Sequence, residues 1–423
     1  MKSIPFVSRR ELAVNYGALL SGTAAARLLA GLTMILIARQ VGSAQYGQFA
    51  GSLALAKVAS SAFALGLESW LLRNGLRDGN RSLLSRLSTA VLAITAGLGL
   101  IWLAVFALFA PALNQDSFPY IVLMLCALSV WCEELINVVS TTFKTALQNT
   151  VTFAIITGTQ LLLFLLVLGQ MGLGQQMLLP YLYVRVGGMA VATIIAVWWM
   201  SRTVTLHIQW PDIPATLRGA PPFAISLGLA LIYERADVAI IALALGQEQT
   251  GLYAPATTII IALFLIPGTL FGVMVPALSR IHAQEPARLM RMMRLLLAGS
   301  LGLAVLLTVT VYLSAHFVIN LLFGPDYTAS GDVLAVLSGV LAFRCLTFTL
   351  AALLIAVGWQ KWRLVPQALA AGLNVGLNFL IIGTYGIMGV AYVYVLTEAL
   401  LMAGYLALVV VWRRRSRLHA APV

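Results

Sequence analysis

The sequence predicts an all-α integral membrane protein: twelve transmembrane helices in two parallel-repeat six-helix halves, with N- and C-termini cytoplasmic. Three observations predict it. The 423 residues are 61% hydrophobic and only 9% charged, with a mean hydropathy of +0.95. A soluble domain carries about 25% charged residues, so a chain this apolar has its surface in lipid. The basic residues sit between the apolar runs in an order that sorts nearly all of them to one side. A ten-residue glycine-marked segment is also written twice, half a chain apart.

A spanning helix needs about 20 mostly apolar residues. Such runs fall at 12–38, 48–72, 88–110, 119–143, 151–171, 178–200, 221–245, 251–277, 295–323, 332–357, 363–384 and 387–412. The first follows "MKSIPFVSRRELAVNYGALL", and its apolar stretch continues to Ile37. That exceeds the roughly 7–15 residues of a signal-peptide core, so it reads as an uncleaved first span. Tight turns near 171–178 and 384–387 separate the fifth from the sixth span and the eleventh from the twelfth. The longest connection, 201–220, reads as a cytoplasmic joint. It divides the chain into an N-terminal half at 1–205, a linker at 206–220 and a C-terminal half at 221–423. Prolines mark the eighth span (Pro255, Pro267, Pro276) and the eleventh (Pro366) as bent or mobile.

The 26 lysines and arginines test the count of spans. With the N-terminus inside, the inner segments collect Lys2, Arg9, Arg10, Arg73, Arg77, Arg81, Arg86, Lys144, Arg202, Arg218, Arg280, Arg288, Arg291, Arg294, Lys361, Arg363, Arg413, Arg414, Arg415 and Arg417. The outer loops hold Arg39 alone. Twenty bases against one place both termini in the cytoplasm. The run "WRRRSR" at 412–417 then anchors the inner face near anionic headgroups, and the net charge of +12 is no sign of nucleic acid. Cys126, Cys132 and Cys345 lie in apolar runs without metal-ligand spacing and read as small buried hydrophobes. No metal or cofactor is expected.

The repeated segment is "VGSAQYGQFA" at 41–50 and "LGQEQTGLYA" at 245–254, offset by 245 − 41 = 204 residues. Gly42/Gly246, Gln45/Gln249, Gly47/Gly251 and Ala50/Ala254 are identical. One is the outer turn after the first span and the other the outer turn after the seventh. An even number of spans per half keeps both halves in the same orientation, a pattern of secondary transporters.

"RLLAGLTMILIARQVGSAQYGQFA" (27–50) resembles the first-hairpin signature of the polysaccharide and O-antigen flippases, within the multidrug/oligosaccharidyl-lipid/polysaccharide exporter superfamily. "YERADVAIIALALGQEQTGLYAPAT" (233–257) looks like that family's seventh-helix segment. The resemblance implies a carrier of the bacterial inner membrane, not an enzyme. It would turn an undecaprenyl-pyrophosphate-linked oligosaccharide over by alternating access. Its partners would be that lipid-linked substrate, the lipid bilayer and a polymerase or other glycan-assembly protein, with no nucleic acid. A drug or cation antiporter of the same superfamily is one alternative. A membrane glycan polymerase or ligase is another, weakened by the short outer loops.

Ionisable residues inside spans are costly and face a cavity or a partner. Arg27, Lys57, Arg185, Arg235 and Arg344 are the candidate phosphate-binding bases, since guanidinium forks match phosphate oxygens. Glu133, Glu134, Glu234, Asp237 and Glu398 are the candidate ion-coupling or charge-pair acids, with Glu134 and Asp237 the best placed for a proton. Glu68 lies near the inner end of its span and reads as a snorkelling residue. The repeat offset relates Arg27 to Glu234 and Glu133 to Arg344, opposite charges at matched depth. Two readings follow: ion pairs that lock the halves together, or a partly cationic cavity that opens as such pairs break.

Overall fold

The structure is a computed structural model that describes residues 9–75, 81–207 and 209–419. It is 89% helix, with no strand among the described residues. The helices are α1 (Arg9–Ala64), α2 (Leu67–Asn74), α3 (Arg81–Phe109), α4 (Tyr120–Thr145), α5 (Asn149–Gly172), α6 (Leu178–Thr203), α7 (Asp212–Gly219), α8 (Pro221–Ala244), α9 (Gln247–Leu263), α10 (Leu265–Gln284), α11 (Pro286–Leu322), α12 (Ser330–Ala356) and α13 (Leu364–His419). Among the described residues nine helical stretches are long and apolar enough to cross a bilayer. The side chains of Lys2, Arg9, Arg10, Arg77, Arg81 and Arg417 lie outside those described.

The turn expected after the first span is shorter than the sequence implies, and the one at 384–387 is as tight as expected. α1 runs for 56 residues, near 84 Å at 1.5 Å per residue, against a hydrocarbon core of about 30 Å. A single residue breaks it: Gly42, at φ 75° and ψ 171°. The 56-residue α13 is broken in the same way at Gly386, φ 54° and ψ −148°. A residue with a Cβ resists positive φ, so glycine concentrates the change of direction in one position. The prolines also act differently from expectation. α9 ends at Leu263, four residues before Pro267, whose missing N–H leaves that carbonyl without its helical donor. Pro255 and Pro276 lie inside helices. Pro366 occupies the first turn of α13, where proline is tolerated, and packs where Gly404 leaves room.

The chain forms two compact units, Met1–Gly251 and Leu252–Val423. The first therefore includes α8. Glycines explain why. A Cβ on Gly51 would come within 2.6 Å of the Ala242 Cβ, and one on Gly66 would strike the backbone of Phe223. Gly228 faces Ser61. The second segment of α1 and α8 thus lie close along their length, the approach that small residues allow in lipid.

The repeated segments meet at one end of this seam. A Cβ on Gly47 would strike the carbonyl of Gln247, and a Cβ on Gly251 would strike that of Ser43. Adding 204 to Gly47 gives Gly251, and adding it to Ser43 gives Gln247, so the contact is reciprocal. Gln48 Nε2 donates to the Gln247 side chain and, at 2.9 Å, to the Asp116 carbonyl.

Within the connection expected at 206–220, helix α7 packs against the first unit. Arg86 grips Asp212 on α7 with two hydrogen bonds, 3.0 Å from Nε and 2.7 Å from a terminal nitrogen. Gly219 lies against the Trp70 indole, and Ala220 joins Leu67, Trp70, Leu71 and Leu84 in one apolar cluster. In the second unit α12 is the central helix, buried along most of its length.

Substitution of Gly47 should show the seam's cost. Gly47→Leu overpacks a backbone contact and should destabilise the purified protein by about 1–3 kcal/mol. Gly97→Ala, with nothing within 4 Å of the new methyl, should be neutral or slightly stabilising. Thermal unfolding in detergent measures both; equal midpoints for the two variants would contradict the packing described.

Candidate functional site

The first unit gathers charged side chains from five helices. Lys57 on α1 reaches Glu133 on α4, with Nζ 2.5 Å from Oε1. Glu133 also lies within Coulombic reach of Arg185 on α6 and Arg235 on α8. Glu134, the next residue, senses Glu68, Lys57 and Glu133. Glu68 in turn lies beside Asn137 and near Lys144. Lys57 and Glu133 are both partly buried, so each relieves the other's loss of hydration.

Arg185 differs from its neighbours. It is 7% exposed and forms no ion pair among the described residues. Its Nε is buried without a hydrogen-bond partner. Its guanidinium stands 5.8 Å from the Phe49 ring centroid, a cation–π contact that recovers part of the lost hydration. A buried cation with no carboxylate in direct ion-pair contact leaves room for an anionic ligand to complete its pairing.

The other candidates fall into place less evenly. Arg27 and Glu234 are both exposed and form no ion pair among the described residues. The expected Arg27–Glu234 pair is therefore absent. Arg235 is half-buried and likewise in no ion pair. Asp237 is 3% exposed, and its Oδ1 accepts the Val238 N–H at 2.8 Å. The expected Glu133–Arg344 pairing is also replaced: Glu133 takes Lys57, and Arg344 takes a partner in its own unit.

That partner is Glu398. In the second unit Arg344 Nε lies 3.4 Å from Glu398 Oε1, with the two side chains 8% and 0% exposed. Arg344 also donates to the Tyr394 hydroxyl at 3.3 Å and stands 4.3 Å from the Phe264 ring centroid. On α13, Asn374 donates to Thr397 at 3.3 Å and Asn378 donates to Asn374 at 3.2 Å. Arg344 and Glu398 are thus bound to each other in the middle of a packed unit. The candidate phosphate-binding base Arg344 is therefore engaged with an acid of its own unit.

Sequence reasoning missed Glu68, Asn137 and Lys144 as members of the cluster. The signal was present in α4. Glu133, Asn137 and Lys144 recur at intervals of four and seven residues, which puts them on one helix face.

Solved structures resemble the chain along nearly its whole length. An inward-facing multidrug resistance MATE family transporter of the MOP superfamily matches at 15% identity and a TM-score of 0.75. It covers 94% of this chain and 96% of its own. The lipid II flippase MurJ, in an inward closed conformation, matches at 13% identity and a TM-score of 0.74, covering 92% of this chain and 87% of its own. A MOP-superfamily transporter from Pyrococcus furiosus matches at 13% identity and a TM-score of 0.66, covering 96% and 97%. No curated protein sequence gives a significant match. The fold is that of the MOP-superfamily transporters. Residues 36–332 match the family described as polysaccharide biosynthesis protein, and the chain belongs to that family.

Charge reversal should test the pairing. Lys57→Glu and Glu133→Lys should each impair folding or transport, and the double swap should recover part of the loss. The same cycle on Arg27 and Glu234 should be additive. Additive losses for Lys57 and Glu133 would show that the two do not interact. In the second unit, Glu398→Gln strands a buried arginine and should cost about 3–5 kcal/mol. Arg344→Met with Glu398→Leu should cost less than either single change, measured by thermal unfolding.

Proposed function

We propose that the chain is a flippase that carries an undecaprenyl-pyrophosphate-linked oligosaccharide outward across the bacterial inner membrane by alternating access. The glycan is an O-antigen, capsule or exopolysaccharide unit. Family membership and the MOP fold support a carrier of this class. The nine apolar stretches support twelve crossings. The glycine breaks in α1 and α13 add two, and the 24-residue α8, excluded only by its charges, adds one. An even number leaves both termini on the side that the basic residues assign to the cytoplasm.

The single observation that carries the reading is Arg185, buried without an ion pair among the described residues and with its Nε unbonded, in the same Glu133 neighbourhood as Lys57 and Arg235. In this proposal Arg185, Arg235 and Arg27 meet the pyrophosphate, and Lys57 joins them when it leaves Glu133. The polyprenyl chain stays in lipid. The acidic face of Glu68, Glu133 and Glu134 supports coupling to a cation. The same face favours the second reading, a drug or cation antiporter of the same superfamily. The two halves at 1–205 and 221–423 are the repeats of the transport cycle, joined through the docked helix α7.

Arg185→Ala should abolish export while expression and membrane insertion remain, and Arg185→Lys should restore part of it because the charge survives without the fork. Lipid-linked oligosaccharide should accumulate on the cytoplasmic leaflet. Normal export by Arg185→Ala would end the cationic-site proposal. Loss of cation-dye efflux with unchanged surface glycan would establish the antiporter reading instead.

A further inference from the structure

At one end of the second unit, three connections converge. The turn between α12 and α13 carries Trp359, Lys361, Trp362 and Arg363. The end of α13 carries Trp412 and Arg413 to Arg415. Ring contacts tie them: the Arg415 guanidinium stands 5.7 Å from the Trp359 ring, and the Trp359 and Trp362 centroids are 6.2 Å apart. Trp412 meets His282 edge-on at 6.3 Å, which brings the α10–α11 connection to the same end. Arg363 packs over Tyr405 at 5.4 Å.

The charge at this end is one-sided. Arg280, Arg288, Arg291, Arg294, Lys361, Arg413, Arg414 and Arg415 are all exposed. Among the described residues of these segments the acid present is Glu285, and it is engaged with Arg288 at 3.2 Å. Trp362 is 54% exposed beside Lys361. The turn joins two apolar, membrane-length helices, so it stands at the boundary of the hydrocarbon. Indoles settle at headgroup depth. Lysines and arginines next to them meet the phosphodiesters of that leaflet.

We propose that this end of the second unit is a binding site for the headgroup of an anionic phospholipid. The 359–363 turn forms one wall and Arg413–Arg415 the other. The Arg415–Trp359 contact holds the two walls together. Lys361, Arg413 and Arg414 supply mobile charge, and Trp362 lies along the glycerol and upper acyl region. This goes beyond general attraction of a basic face to a membrane, because it names a site with two walls and an indole floor. It is independent of the substrate proposed above.

The full chain, purified in detergent, should retain phosphatidylglycerol as a discrete adduct in native mass spectrometry, and phosphatidylcholine should not compete. Each base near an anionic surface contributes roughly fivefold. Lys361→Gln with Arg413→Gln and Arg414→Gln should therefore weaken retention on the order of a hundredfold. Trp362→Ala should weaken it with no change in net charge. A triple neutralisation on the other connection, Arg280→Gln with Arg291→Gln and Arg294→Gln, should leave the adduct in place. Equal loss in both triple variants would replace the site with a diffuse field. Equal retention of the two lipids would overturn the proposal. So would displacement of phosphatidylglycerol by inorganic phosphate at matched concentration, since the site would then be one for free anions.

Discussion

The close approach of α1 and α8 is the constraint from which the first unit follows. In lipid, apolar side chains gain little by leaving one hydrocarbon environment for another. Contact between helices rests on packing distance, and packing distance rests on the smallest residues. Gly47, Gly51 and Gly66 on one strand of the seam, with Gly228 on the other, bring the two close along their length. This draws α8 into the unit formed by α1 to α7. Arg235 and Asp237 come with it, within the electrostatic neighbourhood of Glu133 in the case of Arg235.

Charge inside the units is balanced locally where it is balanced at all. Lys57 and Glu133 share one unit, as do Arg344 and Glu398. Removing an ion from water costs several kcal/mol, and only a close partner offsets it. Each of these two pairs lies within one compact unit. Arg185, the most buried of the bases that form no ion pair among the described residues, lies instead over the Phe49 ring.

Much of the fold was legible in the sequence, because lipid imposes long apolar runs and sorts the bases. The positions of the buried charges were legible for the same reason. Their partners were not. Offset arithmetic pairs positions by their place in a repeat, whereas ion pairs form between helices that touch. Arg27 with Glu234 was such an arithmetic pair, and the structure leaves both exposed. The turn after the first span was misjudged in length, since a glycine at positive φ does in one residue what a loop does in several, as at Gly42; the tight turn expected at 384–387 holds Gly386. The docking of α7 was hidden because Arg86 and Asp212 stand 126 positions apart.

The reciprocal meeting of Gly47 with Gln247 and of Gly251 with Ser43 has an evolutionary consequence. In each case the nearest atom is a main-chain carbonyl. Side chains that clash can be trimmed by a second substitution, but a carbonyl is common to every residue and no codon change removes it. These two positions therefore have no compensating partner elsewhere in the gene. After a duplication they are free to drift only once the two turns have stopped touching, so divergence of the halves should leave them among the last traces of common origin.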